Sequence, residues 1–381
     1  MKKLLSVLLA LLMVFTLAAC NNNSGNGGNE GGNSGSETPA EDDGINIAVL
    51  IPHAGDQSYF DTIARGAKKV NDEDNGISVE VFECDPESAA EESNWMGWFD
   101  DVCEDGKYDL VVSGNSSYEQ FLYQACEKYP DQKFMNFDCS NYPESGVPAN
   151  CYCVTYALDD LGYAVGALSA ALTKTGTVGV VVGMDNQAMN QFVGGWCQVL
   201  TDNGVKYVIS YPGSFRDTAL GKETTKAMID KGADVIWQVA GGLGNGVIEA
   251  CSEAEGVWCV GVDQDQYAQF KESNPAWANV IITSALKNSD VMFEEVAKMV
   301  ADGSFDSKLG TVEQWTLAMN GVGIAENEYY LANVPEDIRN TIKETLDKAA
   351  SGEVTVVDTM EWTPEEYEAN WPAIKDANRI D

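Results

Sequence analysis

A set of four short apolar segments occurs twice along the 381-residue chain, in the same order and at nearly the same spacing. Counted from the first segment, the others begin at offsets of 32, 62 and 87 residues in the first set, and of 28, 56 and 80 in the second. Turn residues bound each segment, a pattern typical of buried parallel strands. The chain therefore predicts two copies of one lobe, and the predicted strands are Asn46–Pro52, Ser78–Phe82, Tyr108–Gly114 and Lys133–Asp138, then Thr177–Gly183, Val205–Ser210, Ala233–Trp237 and Val257–Asp263.

Helical patterns separate these strands, for example at Tyr59–Val70 and Ala188–Leu200. Strands that alternate with helices favour an α/β fold with doubly wound parallel sheets. Such sheets bind ligands beyond the carboxyl ends of their strands. Asp138 and Asp263 occupy equivalent strand ends in the two sets, so a cleft between the lobes is expected to contain both.

The first 19 residues have the composition of an export signal. Lys2 and Lys3 precede an apolar core at Leu4–Leu17, and two alanines lead directly into Cys20. This pattern predicts a signal peptide that ends in a bacterial lipobox, with Cys20 as the lipid-modified mature N-terminus; an ordinary secretory signal is the alternative. Residues 20–43 are rich in Asn, Gly, Ser and Glu, which predicts a flexible, lipid-anchored linker.

Charge and apolar content exclude some classes of function. The formal net charge is −37, and a nucleic-acid site needs clustered Lys and Arg, so nucleic acid is not expected as a ligand. No later stretch of eighteen apolar residues follows the signal, so no further membrane span is expected. The acidic surface favours solubility and says little about the ligand.

Metal and cofactor sites are not expected. The chain has one histidine, His53, and no Cys-x-x-Cys pair. Nine cysteines follow Cys20, an odd number that cannot pair completely within one chain. The sequence does not decide whether Cys139 forms a disulfide with Cys151 or Cys153.

Six segments together resemble the basic membrane protein family of substrate-binding lipoproteins, which includes purine nucleoside receptors of ABC importers. They are Asp56–Asp61, Val182–Asp185, Gln191–Trp196, Ala240–Val247, Gly261–Gln266 and Thr283–Asp290. The resemblance implies a type I periplasmic-binding-protein fold, with three hinge crossings and a ligand enclosed between two lobes. The expected lobes are 44–156 plus about 284–318, and 157–283 plus about 319–381.

The resemblance also implies roles for particular residues. Tyr59 and Phe192 match the two aromatic rings that face a base from opposite lobes, although aromatics at helical spacing are commonly core residues. Asp263 and Lys287 match the ribose contacts, and an Asp263–Lys287 salt bridge is the alternative. Asp138 matches a carboxylate near the base.

Further candidates come from the glycine-rich and loop segments. Met184 belongs to the second segment, and Gly241 and Gly242 are expected to let the backbone approach a ligand closely. Asn245 is interpreted equally as a ligand contact or as the cap of the following helix.

The first segment departs from the family pattern. Pro52–Gly55 is shorter than usual and lacks an aspartate that contacts the base in the family, and Phe60 replaces an asparagine. His53 and Asp56 are the candidates for contacts there.

These features favour a monomeric lipoprotein on the extracytoplasmic face of a bacterial cell membrane that delivers a nucleoside, purine by resemblance, to an ABC permease and its ATPase. A sensor, or a receptor for a sugar or a flavin, is the alternative on the same fold. An enzyme is disfavoured because the chain lacks a Gly-x-Ser-x-Gly motif and a Walker lysine. Residues 326–381 are expected to add amphipathic helices and a short strand at Val354–Val357.

Overall fold

The computed structural model describes residues 44–73, 75–84 and 92–380. The predicted signal peptide, Cys20 and the linker lie outside these residues. Within them, no helix combines the length and the apolar character needed to cross a membrane.

Two six-stranded sheets form the framework, and each contains one of the repeated sets. The first sheet is parallel throughout and has the order β11-β5-β4-β3-β1-β2. Its strands are β1 Ile45–Ile51, β2 Ile77–Glu83, β3 Leu110–Ser113, β4 Phe134–Asn136, β5 Cys151–Tyr156 and β11 Thr311–Trp315.

The second sheet has the order β12-β10-β9-β8-β6-β7 and is parallel except for β12. Its strands are β6 Thr177–Val182, β7 Lys206–Ser210, β8 Val235–Val239, β9 Trp258–Asp263, β10 Ile281–Lys287 and β12 Val322–Ile324. The predicted sets occupy matching positions in the two sheets, so the repeat and the α/β fold class are confirmed.

The irregular segment 137–150 joins β4 to the parallel strand β5, and the other connections between parallel neighbours contain helices. The helices are α1 Tyr59–Asp72, α2 Glu92–Glu104, α3 Glu119–Lys128, α4 Leu158–Leu172, α5 Gln187–Asp202, α6 Thr218–Asp230, α7 Gly244–Ser252, α8 Gln266–Phe270, α9 Pro275–Ala278, α10 Ser289–Asp302, α11 Glu328–Asn333, α12 Glu336–Ala350 and α13 Pro364–Lys375. The central strands β3 and β6 are buried along their whole length, which is why they read as continuous apolar runs.

The strand predicted at Val354–Val357 is wrong. This segment is irregular and lies along α5, where the Gln198 side chain donates to the Thr355 carbonyl at 3.0 Å and accepts from the Val357 N–H at 2.9 Å. Side-chain hydrogen bonds from a helix thus replace the strand partner that the apolar alternation suggested.

The chain passes between the two sheets three times, after β5, after β10 and after β11. The lobe boundary expected near residue 284 falls inside β10, which pairs with β9 and β12 up to Lys287. Helix α10 then packs against α1 of the first lobe. Lys287 is therefore the last residue of the second sheet before a crossing.

Candidate functional site

A cavity of about 390 Å³ lies between the two lobes, at the carboxyl ends of strands from both sheets. Its size is within the range of about 300–1,000 Å³ typical of small-molecule sites. Ten predicted site residues line it: His53, Asp56, Tyr59, Asp138, Met184, Phe192, Gly241, Gly242, Asp263 and Lys287. Topology explains the convergence, because most of these residues end or directly follow a strand.

Lys287 brings a buried ammonium group to the cavity. Its Nζ lies 2.6 Å from Asp138 Oδ1, and only 5% of its side chain is exposed. The same Nζ lies 4.3 Å from the ring centroid of Tyr59 and 4.5 Å from that of Tyr156. Two ring faces and one carboxylate therefore compensate the desolvation of the charge.

The alternative of an Asp263–Lys287 salt bridge is wrong, because the lysine pairs with Asp138. This ion pair connects the end of the second sheet with the loop that follows β4 of the first. It braces the two lobes, as the alternative proposed, but through the other carboxylate.

Asp263 is held in a rare backbone conformation at the end of β9. Its φ is +66°, and its Oδ2 accepts a hydrogen bond from the Ser58 hydroxyl of the opposite lobe. Burial raises the pKa of Asp263 to about 6, against the opposing effect of the Lys287 ammonium. A carboxylate has about four lone-pair positions, so Asp263 keeps acceptor capacity for a ligand hydroxyl.

The two predicted aromatic rings reach the cavity from different lobes. Tyr59 begins α1, whereas Phe192 lies in α5 with 5% of its surface exposed and its ring packed edge-on against Trp237. Lys287 occupies one face of Tyr59, so a flat ligand on this ring would use the other face. Phe60 adds a third ring, 5.5 Å from that of Tyr59.

Asp56 caps α1. Its carboxylate accepts the N–H groups of Ser58 and Phe60 at 3.0 Å and of Asp61 at 3.1 Å. These bonds satisfy donors that the first helical turn leaves unpaired. Asp56 therefore has a structural task besides lining the cavity.

Asn245 does not cap the following helix, so that interpretation is wrong. Helix α7 begins one residue earlier, at Gly244, and Asn245 lies in its first turn. The Asn245 Oδ1 is buried and has no hydrogen-bond partner among the described residues. The residue borders an adjoining cleft with His53, Asp56 and Arg216.

The glycines Gly241 and Gly242 admit another part of the chain. A Cβ on Gly242 would lie 3.3 Å from the Phe215 carbonyl oxygen, which accepts the N–H of Leu243 at 2.9 Å. Gly241 has a φ of +54°, a conformation that favours glycine. Both glycines line the cavity, and the loop that carries Phe215 also approaches their backbone closely.

That loop, residues 211–217, contains site residues that the sequence reasoning missed. Phe215 and Arg216 both line the cavity, and Arg216 Nη2 lies 2.7 Å from His53 Nδ1 of the opposite lobe. Burial, and then the Arg216 charge, lower the pKa of His53. The available signal was an aromatic and a cation directly before Asp217, which caps α6.

More hydrogen bonds cross the cleft beside the cavity. Arg65 Nη1 donates to Gln264 Oε1 at 2.6 Å, and Gln266 Nε2 donates to the Gln57 carbonyl at 3.1 Å. Gln57, which precedes Ser58, has a φ of +55°. Each lobe therefore contributes one residue in a left-handed conformation at the Ser58–Asp263 contact, Gln57 from the first lobe and Asp263 from the second. The two lobes are thus in direct polar contact around the cavity.

Metal ligation has no support in the described part of the chain, where no group of three His, Cys, Asp or Glu residues is arranged to hold an ion. The nine described cysteines are all buried thiols. Cys151 and Cys153 bring their Sγ atoms to 3.9 Å, and neither is in a disulfide.

Comparison with known proteins places the chain among transport proteins. Residues 45–355 match the model of the Bmp family, described as ABC transporter substrate-binding protein PnrA-like. The ABC transporter nucleoside-binding protein BmpA of Lactococcus lactis is 29% identical over 65% of this chain and 71% of its own length. An uncharacterised lipoprotein of Pyrococcus abyssi is 26% identical over 76% of this chain and 70% of its own.

A solved structure supports the fold. The solute-binding protein of an ABC transporter system from Aeropyrum pernix K1 superposes with a TM-score of 0.72, covering 88% of this chain and 98% of its own. The identity is 23%, so this likeness supports the architecture alone. The predicted type I periplasmic-binding fold is confirmed.

Proposed function

Because the chain belongs to the Bmp family of PnrA-like ABC transporter substrate-binding proteins, we propose that it captures a nucleoside, purine by family resemblance, between its two lobes. The closed complex would then be presented to a membrane permease and its ATPase. Binding selects the closed arrangement of the lobes, and release to the permease reopens it. The ligand leaves chemically unchanged, so the protein acts as a receptor and not as an enzyme.

The observation that carries this proposal is the division of the cavity into an ionic and an aromatic part. Asp263, Asp138 and Lys287 gather carboxylate acceptors and an ammonium donor, a combination that suits a vicinal diol. Tyr59 and Phe192 supply rings from opposite lobes, which suits a flat heterocycle. A nucleoside combines these two chemistries in one small molecule.

We further propose that Cys20 anchors the protein to the extracytoplasmic face of a bacterial cell membrane. The lipobox of the sequence supports this, as does the naming of the P. abyssi relative as a lipoprotein. The polar residues 20–43 would then tether a monomeric binding unit to the surface.

A ligand screen by thermal unfolding of the purified full-length protein tests the proposal. The panel contains purine and pyrimidine nucleosides, free bases, ribose, common sugars and riboflavin. A ligand at a hundredfold excess over its Kd should stabilise the fold by about 2.7 kcal/mol, which is several degrees in Tm. Stabilisation by nucleosides, without a response to bases or ribose, is the expected result. A response to a sugar or to riboflavin alone would contradict it.

A further inference from the structure

Arg216 brings a guanidinium group to the cavity with most of its donors uncommitted. The guanidinium has five N–H donors, and one of its hydrogen bonds goes to His53 Nδ1. Within the described ranges, no carboxylate lies within 4.0 Å of Arg216, whereas Arg65 and Arg379 both pair with an aspartate. Arg216 is an exposed residue that lines both the cavity and the adjoining cleft, and it brings to them a cation with donors available to a ligand.

The backbone that carries Arg216 is fixed by hydrogen bonds. The Ser214 N–H donates to the Gly183 carbonyl at 3.0 Å, and the Ser214 hydroxyl accepts the N–H groups of Arg216 and Asp217 at 3.1 Å. Phe215 is held through its carbonyl by Leu243 at 2.9 Å. The second lobe therefore fixes the backbone position from which the Arg216 side chain extends.

His53 positions the guanidinium from the first lobe. Arginine only donates, so Nδ1 must accept, and the imidazole is neutral with its proton on Nε2. The His53 ring meets Phe60 at 5.5 Å, and Phe60 meets Tyr59 at 5.5 Å. Arg216 therefore lies on the aromatic side of the cavity, where the flat ring of a nucleoside is proposed to stack.

The charge of the cavity argues against a phosphorylated ligand. Three carboxylates line it, those of Asp56, Asp138 and Asp263, against the two cations of Lys287 and Arg216. Lys287 is already paired with Asp138. A phosphate dianion would add negative charge to a site that is already acidic, and the carboxylates would repel it. The neutral edge of a heterocycle with two hydrogen-bond acceptors would bind the guanidinium without this repulsion.

We propose that Arg216 is a specificity-determining residue that recognises the O6 and N7 acceptors of a 6-oxopurine nucleoside. The inference rests on the proposed function and narrows its ligand class. Arginine pairs with these two acceptors through parallel N–H groups, while adenine presents an amino donor in place of O6. The site therefore binds inosine and guanosine in preference to adenosine.

Calorimetric titration of the full-length protein and three variants tests this preference. The ligands are inosine, guanosine, adenosine, 7-deazaguanosine and inosine 5′-monophosphate. Wild-type protein should bind inosine and guanosine about tenfold more tightly than adenosine or 7-deazaguanosine. Arg216→Gln should weaken inosine binding about tenfold and change adenosine binding by less than about threefold. Arg216→Lys should recover only part of the loss, because one ammonium cannot present two parallel donors.

Arg339→Gln is the matched control, since it makes the same charge change on α12, outside the residues lining the cavity. It should leave all affinities unchanged. An equal loss of inosine and adenosine in Arg216→Gln would overturn the inference, and so would wild-type binding that favours inosine 5′-monophosphate over inosine. In both cases nucleoside binding itself would stand. Failure of every nucleoside to bind the wild-type protein would refute the proposed function, and this inference with it.

Discussion

Lys287 shows how one residue joins the two lobes electrostatically. The Lys287 side chain is only 5% exposed, so its ammonium group needs compensation, and here a carboxylate from the first lobe and two tyrosine rings provide it. Asp263, whose Cα pairs with that of Leu286 on the neighbouring strand, keeps a different partner in Ser58. Charges at the cavity are therefore arranged so that one carboxylate neutralises the lysine while the other retains acceptor capacity.

Asp263→Asn should weaken nucleoside binding at least about tenfold and leave free-base binding nearly unchanged. The carboxylate is proposed to accept ribose hydroxyls, and hydrogen bonds to charged groups contribute about 1.5–3 kcal/mol. Asparagine is the right replacement because it tolerates a φ of +66°, whereas alanine would add strain. Isothermal titration with a nucleoside and its base measures the difference. Equal losses for both ligands would show that Asp263 does not contact the ribose; Asp347→Asn, exposed on α12, serves as the control.

Tyr59→Ala should weaken nucleoside binding about tenfold or more, because stacking on an aromatic side chain contributes about 1–3 kcal/mol per base. Tyr59→Phe keeps the ring and removes a hydroxyl whose contact with the Phe137 carbonyl is long, 3.4 Å, so its affinity should stay within about threefold of wild type. Titration of both variants measures this. Unchanged affinity in Tyr59→Ala would remove the stacking hypothesis for this ring.

Phe192 is a less direct test of stacking. Its ring packs against Trp237 and is 5% exposed, so Phe192→Ala should also lower the free energy of unfolding by about 3–5 kcal/mol. Binding by this variant has to be measured well below its Tm. A loss of affinity that persists there would support a direct ligand contact.

Nucleoside affinity should fall as the pH drops below the ordinary range of imidazole titration. Burial and Arg216 lower the pKa of His53, while Asp56, Glu83 and Asp61 oppose them, so His53 is neutral at pH 7 and accepts from Arg216. Protonation at low pH removes that acceptor and places two cations together. His53→Asn supplies an acceptor that does not titrate, and its affinity should vary less with pH when both proteins are titrated from pH 8 to 5.

Asp263 titrates near the same range, since its pKa is raised to about 6. Part of the pH dependence will therefore persist in His53→Asn. Identical pH profiles for the wild type and His53→Asn would contradict the role of the imidazole.

At the scale of elements, glycines set how closely α4 and α5 pack. A Cβ on Gly162 of α4 would lie 1.9 Å from the Phe192 carbonyl, and one on Gly166 would lie 2.4 Å from the Val199 side chain. Helix α5, which contains Phe192, can therefore pack this closely only because α4 has glycines without side chains at the contact. This packing fixes the second-lobe wall of the cavity.

Gly162→Ala should lower the free energy of unfolding by about 1–3 kcal/mol, since the clash is with backbone that cannot rotate away. Gly97→Ala makes the same change in α2, where the new Cβ meets nothing within 4 Å, and should raise stability by about 0.5–1 kcal/mol. Urea denaturation of the two variants measures both effects. Equal effects of the two substitutions would contradict the packing argument.

The elements predictable from sequence were those whose pattern is local. Central strands such as β1 and β6 appear as apolar runs between turns, and α1 and α5 follow the helical period. By contrast, β11 is an edge strand with exposed positions, and β12 has three residues, so neither carries a strong pattern. The segment Val354–Val357 has the alternation of a strand, but tertiary contacts with Gln198 decide its conformation.

The same distinction applies to the site. Asp138 and Asp263 were predictable because strand ends meet at one edge of each sheet, whereas Lys287 was expected from the family resemblance alone. Arg216 was missed, because its approach to His53 depends on how one lobe lies against the other. The choice of Asp138 as the lysine's partner has the same origin. Contacts across the cleft are therefore the part that a local pattern does not encode.

At the scale of the whole molecule, acidity dominates. The chain carries 60 Asp and Glu against 23 Lys and Arg, and several of its carboxyls are buried or half-buried without a cation as partner. Burial raises the pKa of Asp159 to about 7 and that of Asp160 to about 6, with Asp358 adding repulsion to both. Burial likewise raises the pKa of Glu119 to about 7, although backbone N–H groups hydrogen-bond its carboxylate.

Stability should therefore rise as the pH falls from 7 towards 5. A carboxyl whose pKa is higher in the folded than in the unfolded chain binds its proton more tightly when folded, so folding gains free energy from about pH 7 down to the unfolded pKa near 4. Below about pH 4 the trend reverses, because hydrogen bonds with lysines lower the pKa of exposed groups such as Glu253 and Glu328. We expect the maximum near pH 4.

Asp159→Asn tests the origin of this pH dependence. One carboxylate oxygen of Asp159 is buried without a hydrogen-bond partner among the described residues, so backbone hydrogen bonds compensate only part of the desolvation of its charged form. The variant should be more stable than wild type at pH 7, by on the order of 1 kcal/mol, and equal to it near pH 4, where Asp159 is protonated in wild type. Asp347→Asn, which removes an exposed charge, should shift stability far less. Urea denaturation at pH 4, 5, 6 and 7 measures both, and a loss of stability in Asp159→Asn at pH 7 would show that this carboxylate stabilises the fold instead of opposing it.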